Sequence, residues 1–132
     1  MEKLLPVLML VVVGLWFFSR QASGTGPEKI RTLVQEGGLL IDVRSPQEFA
    51  AGHASGARNI PLQQLEKRLG ELGGTETQIG VYCRSGARSG KAKAILEGKG
   101  FTRVHNLGGV TAVQEALSLG KTESNGDPQA AE

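Results

Sequence analysis

A single cysteine, Cys83, in 132 residues leaves no intramolecular disulfide and no thiolate cage for zinc. Cysteine usage therefore gives no reading of the redox compartment. The chain also lacks a glycine-rich phosphate loop, zinc-type cysteine spacing and a dinucleotide fingerprint. Aromatic residues make up 5% of it, and the formal charge is only +2 with the arginines not gathered into a basic run, which argues against a nucleic-acid partner. Two histidines, His53 and His105, cannot build a metal centre around one cysteine, so neither metal nor cofactor is expected. No internal repeat is visible.

What is present fits one domain of the small α/β type. The length allows one core, and 19 glycines with few aromatics suggest many tight turns rather than low complexity. Residues Leu4 to Phe18 form an apolar run after Lys3, too large for a small soluble core to cover. As a signal peptide, this run is the hydrophobic region, with Ala22, Ser23 and Gly24 offering cleavage before Thr25. As an uncleaved anchor it is short of the roughly twenty residues that span a bilayer. Trp16, Phe17 and Phe18 nevertheless resemble an interfacial belt, with Arg20 among headgroups. Both readings place the domain most simply outside the cytoplasm, periplasmic and either released or membrane-anchored through residues 4–18; a cytoplasmic orientation is the alternative, since positive charge is nearly balanced across the run. The expected division is a leader or anchor with linker over 1–24, a folded domain over 25–118, and a disordered polar tail over 119–132.

Within the domain, Pro27 opens a helix with Ile30, Leu33 and Val34 on its inner face, ended by Gly37 and Gly38. Leu39 to Val43 is apolar except for Asp42 and reads as a buried parallel strand. Ser45, Pro46 and Glu48 form a capping box that starts a brief helix ending by Gly52. A short extended piece at Ala57–Ile60 follows. Pro61 then starts a helix striped by Leu62, Leu65, Leu69 and Leu72. Gln78–Cys83 is a strand, Arg88 to Leu96 a helix, and Thr102–Leu107 a final strand. Gly108 and Gly109 make a turn into a last helix facing inward with Val110, Val113 and Leu117. Alternating strands and helices give an α/β fold with a parallel sheet covered on both faces.

The chemistry centres on Cys83. It ends a strand and faces a turn of short, cationic or glycine-containing positions that leads into a helix. Open α/β sheets bind ligands at such strand ends. Turn amides, the helix N-terminus and the guanidiniums of Arg84 and Arg88 would all favour a thiolate. A fall in pKa from roughly 8.5 to roughly 6.5 would make the reactive form the majority at neutral pH. The opposing reading is a buried small hydrophobe. Arg84 and Arg88 are either anion ligands or solvated charges. Ser85 and Ser89 either donate to the same anion or cap the helix. Asp42 is either paired with Arg44 or another arginine, fixing loop geometry, or a general base. His53 and His105 are either supporting hydrogen-bond partners or a second half of a Cys–His pair.

Three stretches together resemble the single-domain rhodaneses. They are Ile41 to Arg44, then Glu48 and Phe49 with Gly52 to Pro61, then Val81 to Ser89; Gly100 and Phe101, and Asn106 to Gly109, fit the same pattern. The likeness covers about residues 27–118, and with an export-type leader it is closest to the small periplasmic members of the phage-shock type. It implies a three-layer sandwich around a parallel sheet of about five strands, whose first, edge strand would fall around Ser23–Gly26. It also implies a thiosulfate sulfurtransferase. Cys83 would accept the outer sulfur of thiosulfate as a persulfide and pass it to cyanide or a thiol, either a small molecule or a partner protein's cysteine. Arg84, Ser85, Gly86, Ala87, Arg88 and Ser89 would form the substrate-binding loop, with Asp42 and Arg44 supporting it. Phosphatases of the same fold use Cys-x5-Arg, whereas Cys83 to Arg88 is Cys-x4-Arg, one residue too tight for phosphate. A sulfur-carrier or binding module serving a protein partner is one alternative, and a phosphatase the weaker second.

Overall fold

The computed structural model describes residues 25–125, with side chains as far as Leu119. The apolar run of residues 4–18 and the last part of the expected tail, 126–132, lie outside the described residues.

The chain order is α1 (Pro27–Gln35), β1 (Leu39–Asp42), α2 (Pro46–Ala51), β2 (Arg58–Asn59), two 3-10 segments (Leu62–Lys67 and Leu69–Leu72), β3 (Ile79–Cys83), α3 (Ala87–Gly98), β4 (Val104–Gly109) and α4 (Val110–Asn125). The four strands pair in parallel in the order β2-β1-β3-β4. Among the described residues this is one strand fewer than about five. Thr25 and Gly26 are not in a strand, and the rest of the expected edge segment is outside the described residues.

Because side chains alternate across a strand, β3 divides its residues between two cores. Ile79, Val81 and Cys83 point into a cluster with Ile41, Val43, Leu65, Leu72, Ala92 and Leu96, beneath α3 and the 3-10 segments. Tyr82 points the other way, to Leu40, Leu107, and Ile30, Val113 and Ala116 of α1 and α4. All five residues of β3 are buried, as expected of a central parallel strand. Nine-residue α1 is too short to persist alone. Burial of Ile30 and Leu33 holds it, each worth about 1.5–3 kcal/mol. Val34, expected on that face, is 37% exposed.

The leucine stripe after Pro61 folds not as one helix but as two 3-10 segments hinged at Arg68. Leu62 and Leu65, like Leu69 and Leu72, are three apart, a spacing that suits three residues per turn as well as 3.6. Gly108 and Gly109 continue β4 rather than making a turn, pairing with Tyr82 and Cys83. α4 begins at the next residue and runs to Asn125, into the segment expected to be a tail.

Candidate active site

Cys83 is the last residue of β3, and the following loop turns over its sulfur before α3 begins. The turn is closed by Gly86, whose φ of 98° is left-handed and therefore favours a residue without Cβ. From that position the Gly86 N–H donates to Cys83 Sγ at 3.0 Å. One turn into α3, the fully buried Ser89 places its hydroxyl 3.4 Å from the same sulfur. Burial pushes the Cys83 thiol up. The Ser89 hydroxyl and the backbone N–H groups of Ser89, Ser85 and Gly86 together outweigh it, and the thiol falls from 9.0 to about 7. The leading stabilisers are thus hydrogen-bond donors aimed at the sulfur, not the guanidiniums.

The loop rests on the neighbouring strand at a very close approach. A Cβ on Gly109 would lie 2.6 Å from the Arg84 carbonyl oxygen, so only glycine lets β4 pass beneath the loop at this height. Asn106, also on β4, accepts from the Ser89 hydroxyl at 2.7 Å and from the Gly108 N–H at 3.0 Å, and donates to the Gly86 carbonyl at 3.1 Å.

The two arginines differ. Arg84 is exposed and pairs with no carboxylate among the described residues. Arg88 forms a two-pronged pair with Glu48, at 2.7 and 3.0 Å. Glu48 also completes the capping box with Ser45 that starts α2, so one carboxylate ties the helix start to the active-site loop. The Arg88 hydrogen bond, chiefly, lowers the Glu48 carboxyl from 4.5 to about 2. Since the unfolded chain binds this proton more tightly, the pair's contribution is full above about pH 4.5 and is lost as pH falls towards 2. The side chains are 36% and 29% exposed, which keeps the contribution modest. Glu48→Gln should therefore be less stable than wild type at neutral pH, and the gap should narrow near pH 3. Urea unfolding at both pH values measures it, and an unchanged gap would contradict the assignment.

Asp42 and Arg44 form a buried pair rather than a free base. The Arg44 backbone N–H and Nε donate to Asp42 Oδ1 at 2.9 and 3.0 Å, and Nη2 donates to Oδ2 at 2.7 Å. Nη2 also reaches the Gly52 carbonyl at 2.7 Å, which fixes the loop after α2. Beside it the Tyr82 hydroxyl accepts from the Ala54 N–H. Its pKa is pushed up to about 12, by burial first and by the neighbouring Asp42 carboxylate. His53 lies stacked on Phe49, with Nδ1 2.9 Å from the Phe49 carbonyl. His105 sits in β4 opposite Gly80; burial first, then Lys29, Lys93 and Arg103, lower its pKa.

The structure therefore brings the Ser85, Gly86 and Ser89 N–H groups and the Ser89 hydroxyl to Cys83, ties Arg88 to Glu48, leaves the side chains of Arg84, Ser85 and Ala87 on the exposed rim, and puts Asp42 and Arg44 in the support beneath the adjoining loop. Sequence reasoning missed Glu48 as the partner of Arg88, since the capping motif already explained it. Asn106 and Gly109 were also missed as site residues, although both stand in the Asn106–Gly109 motif. Among the described residues no group of three His, Cys, Asp or Glu side chains is arranged to hold a metal. None of the described helices is long and apolar enough to cross a membrane.

Comparison with known proteins gives the same picture. YqhL of Bacillus subtilis, an uncharacterised protein, is 49% identical over 70 residues, covering 53% of this chain and 55% of its own length. Thiosulfate sulfurtransferase PspE of Escherichia coli is 41% identical over 71 residues, 53% of this chain and 68% of PspE. Among solved structures, an E. coli rhodanese with anions superposes with a TM-score of 0.54 at 39% identity, covering 56% of this chain and 88% of that one. The rhodanese-like domain family matches residues 26–116. Most of the chain is thus accounted for by one domain, and it belongs to the rhodanese-like family.

Proposed function

We propose that the protein is a thiosulfate sulfurtransferase that carries sulfur as a persulfide on Cys83. The observation that supports this best is the sulfur itself: a buried thiol held at about 7 and surrounded by inward-pointing N–H groups. About half of such a thiol is ionised at neutral pH, and a thiolate attacks without a general base. The Cys83 thiolate attacks the outer sulfur of thiosulfate. An S–S bond forms to Cys83, the bond from that sulfur to the sulfonate breaks, and sulfite leaves with the electron pair. The negative charge then sits on the outer sulfur of the persulfide, where the loop amides act as donors to an anion. Cyanide or a thiolate next attacks that sulfur, and the Cys83 thiolate departs.

Arg84, exposed on the rim, suits the sulfonate, while Arg88, already bound to Glu48, suits the shape of the loop. The naming of PspE as a thiosulfate sulfurtransferase and the anions in the E. coli structure support the same reading. The acceptor is a small thiol or a protein cysteine. From Lys3 and the apolar run of residues 4–18 we propose export or tethering at a membrane, tested by cell fractionation with N-terminal sequencing. The central test is thiocyanate formation from thiosulfate and cyanide; no turnover would remove the enzymatic claim.

The close contact beneath the loop gives a sharper test. Gly109→Ala must displace the Arg84 carbonyl by several tenths of an ångström, and this moves the amides aimed at the sulfur. A full misplacement of about 1 Å costs about 100-fold, so this smaller shift is expected to lower kcat/KM by about tenfold. Fold should survive, because the contact lies at the loop and outside both cores, so circular dichroism alongside kinetics checks it. Activity within twofold of wild type would contradict the geometry.

A further inference from the structure

The Asn106 side chain has its orientation fixed from both ends. The Gly86 carbonyl can only accept, so the amide nitrogen faces it, and the Gly108 N–H can only donate, so Oδ1 faces that. An irregularity in the β3–β4 register follows this point: Val81 pairs with Asn106, but Tyr82 pairs with Gly108, leaving Leu107 as an extra residue. Such bulges re-aim side chains. Leu107 enters the core beneath α1 and α4, and Asn106 reaches the loop. Both groups it holds there bear on the sulfur, since Gly86 supplies the 3.0 Å N–H and Ser89 the 3.4 Å hydroxyl.

We propose that Asn106 is a positioning residue for sulfur transfer, holding the Gly86 turn and the Ser89 hydroxyl against Cys83 from the adjacent strand. This rests on Cys83 being the reacting group of the proposed function. Asn106 bonds to Ser89, Gly86 and Gly108 and acts on the sulfur through two donors. The Ser89 hydroxyl carries one hydrogen, which rests on Asn106 Oδ1 beside a neutral sulfur and turns to the sulfur when that is a thiolate. Asn106 therefore also competes for this hydrogen, so the sign of its effect decides between anchoring and competition. Anchoring predicts a thiolate that is harder to form once Asn106 is removed.

The test is ultraviolet titration of the Cys83 thiolate, without substrate, in wild type, Asn106→Ala, Ser89→Ala and the double variant, with kcat/KM for thiosulfate measured across pH. The ionisable groups on the surrounding elements are common to all four proteins. They are Arg84 in the loop, Arg88 on α3, Glu48 on α2, Asp42 and Arg44 at β1, Tyr82 on β3 and His105 on β4. Asn106→Ala is expected to raise the midpoint by about one pH unit, which lowers kcat/KM about fivefold at pH 7 and little near pH 9, where the thiolate is restored. In the Ser89→Ala background the same substitution should shift the midpoint less. An unchanged or lowered midpoint, an equal or larger shift in the Ser89→Ala background, or a loss of rate that persists near pH 9 would overturn the proposal. Should Asn106→Ala not fold, Asn106→Ser, which keeps a short polar side chain but cannot span both partners, takes its place under the same criteria. If wild type transfers no sulfur but the midpoints move as stated, the proposed function fails while the positioning role stands.

Discussion

Cys83→Ser is expected to abolish thiocyanate formation from thiosulfate and cyanide. The loop would remain, since the contacts of Asn106 and Glu48 that hold it do not involve the sulfur, but the nucleophile would not. A serine hydroxyl needs a general base, and none is placed to act among the described residues. His53 is exposed, stacked on Phe49 and bonded to that residue's carbonyl. Asp42 spends its carboxylate on Arg44. Intact-mass measurement after thiosulfate treatment should show one added sulfur atom on wild type, removed by cyanide, and none on the variant. Turnover retained by Cys83→Ser would mean the sulfur never passes through this residue.

Arg44→Met is expected to cost about 3–5 kcal/mol of folding stability, the usual effect of stripping one partner from a buried ion pair. The Asp42 side chain is 0% exposed and Arg44 only 7%, so water cannot replace the lost guanidinium. The same change frees the Gly52 carbonyl and with it the segment that positions Ala54 against Tyr82. Denaturant unfolding reads the loss. Removing the orphaned charge as well, in Asp42→Asn/Arg44→Met, should recover part of it, and the non-additivity isolates the pair. A loss below about 1 kcal/mol would show that the buried pair is not what holds this corner.

The elements that were legible in the sequence are those whose local rules and tertiary contacts agree. Pro27 and the Ser45–Glu48 capping box start their helices where expected, and β3 is the fully buried strand that its apolar run implied. The leucine stripe was not legible in its detail because spacings of three and four fit two helix types, and the backbone at Arg68 chose between them. The Gly108–Gly109 pair misled for a different reason. Glycines usually announce a turn, but at Gly109 the missing side chain serves a crossing of two backbones, which only the third dimension reveals. In the site, the position of Cys83 could be read from the strand-to-helix pattern alone. The pairing of Arg88 with Glu48, forty residues apart in sequence, could not, and neither could the contribution of Asn106 from another strand.

The backbone N–H groups around Cys83 have a consequence for the substitutions the site can tolerate. Donors that belong to the main chain persist through substitution at Arg84, Ser85 or Ala87, whose side chains are exposed on the rim. Side-chain changes at those three positions leave in place the groups that face the sulfur. Gly86, Gly109 and Asn106 lack that latitude, because they set the turn and the Ser89 hydroxyl against the sulfur. On the proposed function, the rim could be altered to suit a different sulfur donor or acceptor, whereas a side chain added at Gly109 on the neighbouring strand would disturb the cradle itself.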